Sequence, residues 1–277
     1  MPKRGGASGV SVVVQQAPQA PAPPPPPPPQ PTLQQRLAQL VQGINSLQDF
    51  SSLPYDDKMD LIEAAMNTPV PAGKPNTVFQ QLAEYLGFDV TPPQVVTDAQ
   101  LNAMPGQNLY RTVKDIGGST AVQIATDTLR KADTPFYSDS GGSVYGRGLY
   151  FTTDLDGSVP YGRSASTSRT IRAKLDPNAK VVTRSQLRQD VQKAQAGNNR
   201  FARMLNRMSS QADVESVVAA FKGYDAISNS PGMPDNYHTI ISRRALVYSS
   251  KIKGFDAYGR STPRWGTTSR GANVNIV

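Results

Sequence analysis

The chain of 277 residues contains no cysteine. That absence removes disulfides, thiolate zinc sites and a cysteine nucleophile from consideration. Its single histidine, His238, argues against a histidine-rich metal site, and no metal is expected; a Ser-His-Asp triad would have to use that one residue. Glutamate is scarce as well, with only Glu63, Glu84 and Glu215 in the whole chain. No apolar run approaches the roughly 20 residues that cross a bilayer. Lys3 and Arg4 are followed only by the short run from Val10 to Val14, too brief for the apolar region of a secretory signal. The expectation is a soluble protein with no membrane association and no Sec-type address.

Positive charge is plentiful, but it is concentrated. Of the net +8, residues 1–32 contribute +2 and residues 251–277 contribute +4, leaving a nearly neutral middle. The basic ends read either as solvated tails or as arms lying on an acidic surface, including nucleic acid. Residues 1–31 are of low complexity and contain seven consecutive prolines, Pro23 to Pro29. Proline lacks an N–H and has a fixed φ, so this arm is expected to be extended, at about 3.1 Å per residue. It serves either as a stiff spacer or as a docking segment.

Residues 32–96 read as a small helical region. Leu33, Leu37, Leu40, Val41, Ile44 and Leu47 recur at helical spacing after Pro31-Thr32, a plausible cap. Asp56-Asp57 opens a second helix with Met59, Ile62 and Met66 on one side. Thr77 opens a third, closed by Gly87. Pro92-Pro93 separates these helices from the rest of the chain.

Residues 97–254 have a different texture. Strands are expected at Asn108–Val113, Leu149–Thr153, Thr170–Leu175, Lys180–Thr183, Tyr224–Ile227 and within Tyr237–Tyr248. Helices are expected at Ser119–Lys131 and across 185–222. Strands around a helical insertion, without regular βαβ alternation, give an α+β class. Residues 255–277 read as a flexible basic tail.

The most informative segment is Tyr145 to Asp154, Tyr-Gly-Arg-Gly-Leu-Tyr-Phe-Thr-Thr-Asp, followed by Ser158 and Tyr161. These lie eight and eleven residues beyond Tyr150. The pattern resembles the G-x-G-[IL]-Y-F…S…Y element of the ADP-ribosyltransferase superfamily, in its diphtheria-toxin and poly(ADP-ribose)-polymerase branch. Upstream, Leu109 to Val113 (Leu-Tyr-Arg-Thr-Val) resembles the first strand of the arginine-anchored branch. Downstream, Gly223-Tyr-Asp-Ala-Ile227 and Asp235 to Val247 resemble the last strands of that fold.

The resemblance covers about half the chain and implies a split β-sheet core with NAD as substrate. It implies that Gly148 lets the backbone approach the ligand. Tyr150 and Tyr161 would sandwich the nicotinamide ring, and Ser158 would bond its carboxamide. Arg111, followed by Thr112, would hold the pyrophosphate. A planar cationic ring does favour electron-rich aromatic faces, and a guanidinium fork suits phosphate. Thr152 takes the strand position of the family's Ser-Thr-Ser element in preference to Ser166 to Ser168.

One expected group is missing. The family's catalytic glutamate, at the start of the closing strand, falls here within Asn236, Tyr237 and His238, with Tyr237 the best match and Asp235 the nearest acid. Three outcomes stay open: a mono-ADP-ribosyltransferase acting on a protein target that uses Asp235, His238 or the substrate itself in that role; a protein that binds NAD without turnover; or a structural protein on the same fold. The chain's texture is also similar to tailed-bacteriophage proteins that carry this fold. That resemblance implies a virion or host-cytoplasm location, with neighbouring virion subunits as partners of the Pro-rich arm and basic tail.

Overall fold

A computed structural model describes residues 31–68, 78–86, 93–115, 118–130, 148–153, 155, 168–229, 237–255 and 273–275. The Pro-rich arm up to residue 30 and the tail from 256, apart from 273–275, lie outside the described residues. The molecule is mixed α/β, built on one mixed sheet.

The N-terminal helices are α1 (Leu33–Gly43), α2 (Leu47–Ser52), α3 (Tyr55–Asn67) and α4 (Val78–Leu86). Thr32 caps α1 with a full capping box, its side chain accepting from the Gln35 N–H while Gln35 reaches back. The apolar stripe that predicts one helix through Leu47 is divided. Ser46 takes extended geometry and accepts from the Asp49 N–H, which starts α2 afresh. The expected opening and closing residues of α4, Thr77 and Gly87, lie outside the described residues.

Strand β1 (Gln94–Val96) and helix α5 (Asp98–Ala103) come next, just after Pro92-Pro93, where the sequence reading names no element. They are followed by β2 (Asn108–Lys114), α6 (Ala121–Arg130), β3 (Leu149–Thr152), β4 (Ser168–Leu175) and β5 (Val181–Thr183). The insertion comprises α7 (Arg184–Ala196), α8 (Arg200–Leu205) and α9 (Gln211–Lys222). The chain returns through β6 (Ala226–Ser228), β7 (Tyr237–Ile240), β8 (Leu246–Ser249), β9 (Lys251–Phe255) and β10 (Asn273–Asn275). Part of the expected tail is therefore a sheet edge, because β10 pairs antiparallel with β9.

The strand order is β1-β8-β4-β2-β3-β7-β6-β5, with β9 on β4 beside β8. Its joints are unequal. β2 and β4 share seven residue pairs and β3 and β7 share four. β2 and β3 share one, Tyr110 with Thr152. The sheet is thus two firmly laddered halves meeting at a thin seam.

Two cores form. One holds Leu109, Val113, Leu149, Phe151, Ile171, Tyr248 and neighbours against Ala121, Ala125 and Leu129 of α6. The other joins α1–α4 with α7–α9, and draws in Val182 and Ile227 from the sheet and Ile241 just after β7. The helices before residue 96 and those of the insertion therefore bury their apolar faces against each other, as amphipathic helices must to be stable in water.

Candidate functional site

Side chains alternate across a strand, and directly paired residues share a face. The register therefore fixes which candidates meet. Thr152 pairs with Tyr110 and with Tyr237, and Tyr110 pairs with Arg172. This makes one row, Tyr237–Thr152–Tyr110–Arg172, across four strands. Tyr150 pairs with Thr239, and Thr112 with Thr170, so these four stand on the same face, one row along. Thr112 and Thr170 are hydrogen-bonded hydroxyl to hydroxyl at 2.7 Å.

That face is covered at its two sides. Ile227, on the same face through its pairing with Thr239, belongs to the core under the helices. On the other side, Arg172 donates to Asn102 Oδ1 at 2.7 Å and is ion-paired with Asp98 of α5. Asp98 also accepts from the Ser249 hydroxyl. Among the described residues, the stretch between these covers presents Tyr110, Thr112, Tyr150, Thr152, Tyr237 and Thr239. Tyr110 and Tyr150 remain partly exposed, and the others are buried. It is a surface of phenol rings and hydroxyls, and β2, β3, β4 and β7 carry no Asp or Glu.

Gly148 immediately precedes β3 with φ +154, and a Cβ there would lie 2.3 Å from the Ile240 carbonyl oxygen. The close approach that this glycine permits here is to the backbone of β7. The start of β7 is clamped by Asn229, a residue outside the motifs read from the sequence: its N–H and its side-chain Nδ2 both donate to the Tyr237 carbonyl, at 2.9 and 3.0 Å. An Asn two residues beyond Tyr-Asp-Ala-Ile is the signal the sequence offers for it.

Arg111 and His238 do not join this face. Arg111 follows Tyr110 and His238 follows Tyr237, so each projects from the opposite side, where Phe151 and Ile171 are their neighbours by register. Arg111 Nη1 donates to the Tyr150 carbonyl at 3.2 Å. Burial draws its guanidinium below arginine's ordinary pKa, with the nearby Tyr248 phenol acting the other way. Ser158, Tyr161 and Asp235 lie outside the described residues. Glu215, on α9, is fully buried and paired with Arg184 and Arg188 of α7 at 3.5 and 3.6 Å.

The Tyr-Asp-Ala-Ile element serves the scaffold. The Asp225 carboxylate accepts from Gln48 Nε2 of α2 (2.8 and 3.0 Å) and from the Lys180 N–H (2.9 Å). Its carbonyl accepts from the N–H groups of Ile241 and Ser242. Tyr224 donates its hydroxyl to Asp190 at 3.0 Å. A polar cleft of about 620 Å³ opens here, at the far end of β7 from Tyr237, lined by Gln48, Asp49, Asp176, Lys180 and Arg244 around Asp225. Among the described residues, no group of three or more His, Cys, Asp or Glu side chains is placed to hold a metal ion.

Fold and site together define a class: a mixed α/β protein whose central strands present an aromatic, hydroxyl-rich face between helical covers. No protein-family model, curated protein or solved structure matches the chain.

Proposed function

We propose that this chain is an ADP-ribosyltransferase-like protein that takes NAD on the Tyr150 face. It would transfer ADP-ribose to a protein side chain slowly, with release of nicotinamide. The observation that carries the reading is the order β2-β3-β7. It brings the strands bearing the Tyr-Arg, Gly-Leu-Tyr-Phe and closing motifs side by side, with Tyr150, Thr152 and Tyr237 on one face. The thin seam between β2 and β3 is in keeping with a split sheet. Tyr150 and Tyr110 offer partly exposed aromatic surface to a cationic ring.

Slow turnover is expected from the same face. Tyr237 stands where the resemblance places a glutamate, and a phenol supplies a hydrogen bond but no full counter-charge to an oxocarbenium-like transition state. Loss of one preorganised electrostatic partner typically lowers the rate by about 10²–10³. Calorimetric titration with NAD tests the binding. Wild type is expected to bind, and Tyr150→Ala to bind roughly 5- to 150-fold more weakly, since one ring stack is worth about 1–3 kcal/mol. Absence of heat with the wild type, together with no labelled protein after incubation with labelled NAD and cell lysate, removes the reading.

The lack of an acid on the four central strands favours a second reading. Here the fold is a component of a phage particle, and the Pro-rich arm and basic tail are held by neighbouring subunits. Many copies in purified particles, with no NAD binding, would select it.

A further inference from the structure

We infer that Arg111 is a positioning residue that holds Tyr150 in place from behind the sheet, and not the group that receives the dinucleotide's phosphates. The inference rests on the NAD-binding reading of the Tyr150 face. Three observations support it. The backbone ladder between β2 and β3 consists of the single pair Tyr110–Thr152. Beside that pair the ladder gives way to a side chain: Arg111 Nη1 donates to the Tyr150 carbonyl at 3.2 Å. By register the Arg111 side chain lies on the Phe151 face, so the sheet itself stands between it and a ligand on the Tyr150 face.

The contact has a charged donor, and its 3.2 Å length is at the long end for a charge-assisted hydrogen bond. Here it takes the place of a missing rung. For Arg111 to reach a phosphate on the other face it would have to abandon this carbonyl and cross the strand plane. Phe151, Ile171 and Tyr248 lie on its own face, and the acceptor it meets there is the Tyr150 carbonyl. The fork is therefore committed to the strand, and Tyr150's ring angle on the far side depends on it.

The test separates the two halves of the ligand. Full-length wild type, Arg111→Gln and Arg111→Lys are titrated with nicotinamide alone and with ADP-ribose alone. If Arg111 positions Tyr150, Arg111→Gln weakens nicotinamide roughly tenfold or more and leaves ADP-ribose within about threefold. Arg111→Lys, which keeps a donor and its charge, recovers part of the nicotinamide affinity. A larger loss for ADP-ribose than for nicotinamide, equal losses for both, or no change in either overturns the inference. If Arg111→Gln does not fold, the ratio of the two losses in Arg111→Lys is read in the same way.

A ligand-free measurement completes the set. Amide hydrogen exchange over 149–152 is expected to quicken in Arg111→Gln. If wild type binds neither fragment, the NAD reading falls; unchanged exchange would then dispose of the brace as well, and faster exchange would uphold it.

Discussion

At the scale of single residues, the motif around Tyr150 was legible because it is local. Gly148, Tyr150 and Thr152 lie within five positions, and their expected strand is observed as β3. The face each candidate occupies was not legible, because it depends on a register between strands distant in sequence. Arg111 meets Tyr150 from 39 residues away, and nothing in Leu-Tyr-Arg-Thr-Val says which of its alternate residues shares Tyr150's side. Gly148→Ala tests the local part. Its Cβ would sit 2.3 Å from the Ile240 oxygen, so β3 and β7 must separate. Loss of about 1–3 kcal/mol in urea unfolding is expected, with weaker NAD binding. Asp225→Ala tests the non-local part. It leaves Gln48 and the Lys180 N–H without their acceptor, and a loss of about 2–4 kcal/mol is expected, measured the same way. An unchanged midpoint would show that Asp225 is not the fastening described.

At the scale of elements, helices with strong stripes were legible, and short elements made by long-range pairing were not. β1 exists because Gln94–Val96 lie parallel to Val247–Ser249, and its three residues carry no pattern that outweighs the preceding prolines. α5 did carry a signal, the capping box Thr97-x-x-Gln100. The end of α9 shows the same dependence on a distant partner. Gly223 closes it with φ +74, and a Cβ there would meet Ser51 Oγ of α2 at 2.5 Å.

Between α8 and α3, Arg200 donates to both Glu63 and Asp60 at 2.6–2.7 Å. The bond from Arg200 holds the Glu63 carboxyl below the ordinary glutamate value. A carboxyl depressed in the folded state contributes stability above its unfolded pKa, and that contribution is lost as pH falls through the folded one. Unfolding followed from neutral pH into the acid range should therefore show stability draining away from about pH 4.5 downward. Arg200→Met should flatten that part of the profile while changing stability at pH 7 only modestly, since the pair is partly exposed. An identical acid limb in the variant would contradict the pairing.

At the scale of the whole molecule, the shared helical core decides what can stand alone. Leu47, Phe50, Leu61 and Ile62 are fully buried together with Val217, Val218 and Ile241. A fragment beginning at Gln94 would expose the second half of that core. It is expected to lack a cooperative thermal transition in circular dichroism, whereas the full chain has one. A sharp transition in the fragment would show that the sheet and α6 suffice.

The same arrangement bears on how the chain can be made. Translation delivers α1 to α3 first, yet the residues that cover them run as far as Ile241, and the partner of β1 begins at Leu246. At about 5–20 residues per second, the leading helices wait roughly ten to thirty-five seconds for their counterparts. Through that interval a ribosome-bound intermediate leaves Leu47, Phe50, Leu61 and Ile62 without the later residues that bury them. It is a ready client for holdases, and the point at which a slow codon or a truncated message would do the most harm.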